Sequence, residues 1–79
     1  MRIDKYLKTA RLIKRRTVAK EACDQERIAL NGRTAKAGSE VKVGDVIEIR
    51  FGSHSTTVKV IKLSEHCRKE DAETMYEII

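Results

Sequence analysis

The sequence predicts an α+β fold in which two N-terminal helices pack on a small, mostly antiparallel sheet, followed by a short C-terminal helix. Three observations carry this reading. Apolar residues recur at the spacing of one helical face through the first quarter of the chain. Asn31-Gly32 and the alternating run from Val46 to Phe51 then mark a tight turn and a strand. Helical spacing returns at Ala72, Met75, Tyr76 and Ile79.

Taken in order, Ile3, Tyr6, Leu7 and Ala10 define a first helix over about residues 3–13, with Lys5, Lys8 and Arg11 off that face. A second helix starts at Thr17, whose hydroxyl suits an N-cap, and runs to about Gln25. Its apolar side is Val18, Ala19, Ala22 and Cys23, small enough for close approach to the first helix. Between Arg27 and Lys36 the period changes around Asn31-Gly32, the dipeptide best suited to the positive dihedrals of a two-residue hairpin turn. Val41 to Asp45 supplies another strand end and turn. Val46 to Phe51 alternates as a strand, Gly52-Ser53 reverses it, and Ser55 to Leu63 returns it.

Length and composition limit the function. A chain of 79 residues reads as one domain over 1–79. Such a domain buries roughly 60% of its unfolded surface and leaves no room for a separate catalytic domain. No apolar run approaches a membrane span, and Met1 to Tyr6 lacks the hydrophobic core of a signal peptide. Cys23 and Cys67 lie far apart with no framework around them, so reduced thiols are expected, Cys23 as a small core residue. His54, His66 and the cysteines lack the short-loop spacing of a zinc site. No glycine-rich phosphate loop or nucleophile–base pair is present. The expectation is a protein with no metal, no cofactor and no enzymatic activity.

Charge is lopsided. Residues 1–20 carry eight Lys/Arg against Asp4 alone, a net +7, whereas residues 21–64 sum to +1 and residues 65–79 to −3. Five of the ten residues from Arg11 to Lys20 are cationic and none is acidic. An oriented basic face at a helix junction suits a polyanion. Glu21, Asp24 and Glu26 make the second helix a poor reader of an acidic DNA groove, and aromatics for stacking are few. Phosphate-based recognition of folded RNA is therefore expected.

Met1 to Leu7, Arg11-Leu12, Arg15 to Ala19, Ile28 to Gly32 and Val43 to Ile47 resemble the S-four RNA-binding domain, first seen in ribosomal small-subunit protein four. The likeness covers about residues 1–50, and the remainder resembles the free-standing members of that family. Two departures concern loops: Glu26 stands where many members have Gly, and Ala37-Gly38-Ser39 where many carry Pro.

The resemblance implies that the two helices form the RNA surface, with the sheet as a platform behind them. Arg2 and Arg16 then converge on neighbouring phosphates, Arg15 and Lys14 come next, and Lys5, Arg11 and Lys20 extend the patch. Lys8 reads as a solvated bystander, and Asp4 as a structural acid that accepts from helix amides or holds a nearby arginine.

It further implies a monomeric, cytoplasmic factor of bacterial ribosome-associated quality control. Such a factor binds the large ribosomal subunit stalled with peptidyl-tRNA, touching ribosomal RNA and the tRNA, while a chain-extending factor works without a template. Two alternatives stay open: an RNA-targeting subunit for a separate RNA-modifying enzyme, and a DNA-binding regulator.

Overall fold

The computed structural model describes residues 1–79. Helices α1 (Ile3–Thr9) and α2 (Arg16–Asp24) precede the strands β1 (Ile28–Leu30), β2 (Arg33–Thr34), β3 (Val46–Phe51) and β4 (His54–Val60). A 3₁₀ helix, Lys69–Met75, leads into β5 (Tyr76–Ile78). The strands form one antiparallel sheet in the order β2-β1-β3-β4-β5. No helix is long and apolar enough to cross a membrane.

The core follows from the two periodicities of the sequence. Ile3, Tyr6 and Leu7 of α1 meet Ala19, Ala22 and Cys23 of α2 in a single buried cluster. The sheet contributes Ile28, Ile47, Ile49, Val58 and Val60 to the same cluster. Their registration is consistent: Ile28 pairs with Ile49, Leu30 with Ile47, and Ile47 with Val58. A shift of one residue would turn this row out to solvent, so the pattern fixes the pairing. At the β1–β2 hairpin, Asn31 and Gly32 take φ of 53° and 83°, the paired positive dihedrals their sequence predicts. Asn31 also accepts from the Val46 amide at 2.8 Å and reaches Asp45 at 3.2 Å, so this turn is tied to the start of β3.

Several expected boundaries move. The first helix ends at Thr9, short of residue 13, because Arg11 turns into the left-handed region at φ 60°. The N–H groups of Leu12 and Ile13 both fold back onto the Leu7 carbonyl, at 3.0 and 3.1 Å, while Arg11 donates to Lys8 at 3.0 Å. This is a Schellman stop built on arginine, with Leu12 and Ile13 folded against the core. The same device ends α2 at Glu26, φ 59°, with Arg27 donating to Ala22 and Glu26 to Cys23. Glutamate therefore takes the left-handed position without glycine's freedom.

At its other end α2 begins one residue early: Arg15 is the N-cap, no side chain caps the turn, and Thr17 lies inside the helix. Val18 is 40% exposed and leaves the expected apolar face. The C-terminal helix is 3₁₀ and stops at Met75, after which Tyr76 to Ile78 pair with β4. Ala72 and Met75, three apart, fall on one side of a three-residue turn and are both buried. Tyr76 and Ile79, expected on that helix, are half-buried in β5 and exposed beyond it. Strand β4 ends at Val60 and not Leu63, because Ile61 and Lys62 donate to the Met75 carbonyl.

That carbonyl joins the chain's two ends. The Tyr6 hydroxyl donates to it at 2.7 Å, alongside the Ile61 and Lys62 amides at 2.9 and 3.1 Å. Burial, and then the neighbouring Tyr76, push the Tyr6 phenol well above its ordinary pKa, so it remains a donor throughout the physiological range. Tyr6→Phe should lower stability by only about 1 kcal/mol, since two amides still satisfy the acceptor. For a domain of this size that is a fall in Tm of about 4–8 °C, measurable by calorimetry.

Candidate nucleic-acid interface

The N-terminus of α1 is sealed by backbone. The Ile3 amide donates to the Ser39 carbonyl at 2.8 Å and the Asp4 amide to Ala37 at 3.3 Å. Lys5 N–H donates to Asp4 Oδ1 at 2.8 Å. The loop around Gly38 thus serves as the cap that no side chain supplies, and an isolated bridge between Arg2 and Glu40 holds it in place. The first turn of α2 has no side-chain cap, which leaves its N–H donors for water or an anion.

Asp4 is the one buried charged residue, 3% exposed. Arg2 Nη2 lies 3.3 Å from its Oδ2, and Arg16 Nη2 lies 3.4 Å from its Oδ1. One carboxylate therefore brings together two arginines fourteen positions apart, each still half exposed. Each guanidinium has five N–H donors and directs one nitrogen at Asp4, so most of its fork stays free. With two cations and one anion, the cluster is net positive.

The other predicted residues divide between surfaces. Lys20 is exposed on α2, one turn beyond Arg16, and Arg15 is exposed at the N-cap. Lys5 donates to the Glu65 carboxylate, and this hydrogen bond, followed by the lysine's charge, holds Glu65 below the ordinary carboxylate range. Arg11 and Lys14 line a groove beyond the C-terminal end of α1 and do not join Arg2 and Arg16. Lys8, read from sequence as a bystander, lines that groove too, as do Glu65, His66 and Lys69. Nothing in the local sequence links the last three to α1; Glu65 lies 60 positions from Lys5.

A helix pair carrying a clustered basic face on a hairpin sheet defines an RNA-binding domain of the S4 class, and residues 1–47 match the S4 domain family. A Listeria monocytogenes RQC P-site tRNA stabilizing factor is 58% identical over 100% of this chain and 86% of its own length. A factor of the same name from Halalkalibacterium halodurans is 56% identical, covering 99% and 89%. Among solved structures, trimeric Vibrio cholerae Heat Shock Protein 15 superposes with a TM-score of 0.93 at 30% identity, over 100% of this chain and 81% of that one. The chain belongs to the S4 domain family, in the branch that holds the RQC P-site tRNA stabilizing factors.

Two outcomes test this geometry. Asp4→Asn keeps an acceptor for Lys5 N–H but removes the charge between the guanidinium groups. It should cost about 1 kcal/mol in chemical denaturation, because the arginines are half exposed. The side-chain NMR signals of both arginines should move to solvent-averaged positions. In native protein at pH 8, iodoacetamide should label half-buried Cys67 and spare Cys23. Burial, then Asp4 and Asp24, push the Cys23 thiol up to about 11, and mass spectrometry should find it labelled only after unfolding.

Proposed function

We propose that this protein is a non-catalytic RNA-binding factor of bacterial ribosome-associated quality control. It acts as a single-domain monomer in the cytoplasm, on large ribosomal subunits stalled with peptidyl-tRNA. There it contacts ribosomal RNA and the tRNA and supports template-free chain extension by a partner factor. The names of the relatives support the setting, since each is a P-site tRNA stabilizing factor in its own organism. The physical observation that carries the reading is the Arg2–Asp4–Arg16 cluster on an N-terminal quarter of net +7.

Phosphate binding at this cluster needs little rearrangement. Two guanidinium forks already held side by side give up less side-chain freedom on meeting a phosphodiester than free arginines would. The open first turn of α2 adds backbone donors at the same end of the helix as Arg16. Arg15, Lys14, Lys20, Lys5 and Arg11 supply longer-range attraction around the cluster, which favours rapid, salt-sensitive association. Along α2, exposed Glu21, Asp24 and Glu26 oppose insertion into a DNA major groove.

Binding to purified large subunits carrying peptidyl-tRNA tests the proposal. Arg2→Ala and Arg16→Ala should each weaken binding and reduce the log–log salt slope by about 0.7–0.9 per lost contact, with the circular dichroism spectrum unchanged. Lys59→Ala, on β4, should leave affinity within about twofold, as expected of an exposed lysine with no phosphate partner. Salt-independent affinity, or displacement of the subunits by duplex DNA, would overturn it.

A further inference from the structure

The geometry points to a second RNA-backbone site in the groove at the C-terminal end of α1, built jointly by the end of that helix, the loop that follows it and the segment that follows β4. The inference rests on the RNA-binding reading above and extends it to a surface outside the Arg2–Asp4–Arg16 cluster. The groove has a volume of 520 Å³ and is lined by four Lys/Arg side chains, Lys8, Arg11, Lys14 and Lys69, against a single carboxylate, Glu65. That carboxylate already pairs with Lys5, so it opposes the remaining cations less than a free acid would.

Shape and position fit a phosphodiester chain better than a small anion. Its lining residues are polar or charged apart from Cys67, unlike the mainly apolar pockets that hold compact ligands. Helix α1 spans seven residues, about 10 Å along its axis, so one phosphate does not serve both its ends. Arg11 reaches the groove from a left-handed backbone position, φ 60°, where glycine would be less strained and carry no charge. The net −3 C-terminal segment places Lys69 here while its exposed acids Glu70, Asp71 and Glu73 are absent from the lining. His66 adds two ring nitrogens able to donate to or accept from ribose hydroxyls.

The test uses the full chain and large subunits carrying peptidyl-tRNA, with salt titrations of Lys8→Ala/Lys69→Ala beside Arg16→Ala. The double variant should lose about 1.4–1.8 from the salt slope, for two contacts, with affinity falling by about tenfold at low salt. A charge-matched control, Lys42→Ala/Lys59→Ala, should leave the slope unchanged. Titration of 15N-labelled protein with a short oligouridylate should shift the amides of Lys8, Arg11 and His66, and the double variant should abolish those shifts. If the double variant behaves like the control while Arg16→Ala releases the subunits, the groove assignment fails and the Arg2–Asp4–Arg16 reading stands. If neither variant alters binding, both fail. If the double variant loses a chain-extending protein factor but keeps its RNA slope, the groove is a protein contact and the inference is overturned.

Discussion

A buried carboxylate sets the terms for the N-terminal half of this molecule. Removing Asp4 from water carries a desolvation cost that only close positive partners and hydrogen bonds offset. Here Lys5 N–H, Arg2 and Arg16 do so, and they come from the start of α1, the residue before it, and the first position of α2. The two guanidinium contacts are long, at 3.3 and 3.4 Å, and each uses one nitrogen. Their main effect is to hold the two arginines together where the start of α2 meets the start of α1, a junction set by the apolar contacts of Ile3, Tyr6, Leu7, Ala19, Ala22 and Cys23. The charge left over faces solvent. The one buried carboxylate of the helix pair is thus the group that presents two arginines together.

A second constraint ties this pair to the rest of the chain. The Met75 carbonyl accepts from Tyr6, Ile61 and Lys62, so the core-facing side of α1, the end of β4 and the start of β5 meet at one atom. The salt link from Lys5 to Glu65 runs between the same two regions on the surface, where water and salt weaken it. The acidic C-terminal segment therefore docks against α1 through a buried hydrogen bond and one exposed ion pair. Its remaining acids do not neutralise the basic face.

Much of the fold was legible because local rules and tertiary packing agree. Helical spacing at Ile3, Tyr6 and Leu7, the Asn31-Gly32 turn and the alternation of Val46 to Phe51 each produce the structure their pattern implies. Two misreadings share one cause: a tertiary contact outweighed a local preference. Apolar spacing alone would carry the first helix past Thr9, but Leu12 and Ile13 reach the core only if the chain turns at Arg11. Ala72, Met75 and Tyr76 fit a helical pattern as far as Met75, after which the open edge of β4 offers Tyr76 a strand partner. Thr17 has the chemistry of a cap but sits inside the helix that Arg15 starts.

By itself the sequence determined the fold class, the family pattern and the concentration of positive charge in the first twenty residues, since these depend on composition and spacing along the chain. It also marked Asp4 as structural, because a lone acid among eight bases finds a cationic partner in almost any compact arrangement. The family pattern also implied that Arg2 and Arg16 converge; only the tertiary structure decided what holds them and where the other cations stand. Arg2 and Arg16 share Asp4, Lys5 turns to Glu65, and Arg11 and Lys14 join Lys8 and Lys69 elsewhere. The reason is physical: charge is a property of residues, but the field a ligand meets depends on distances between side chains, and only packing sets those.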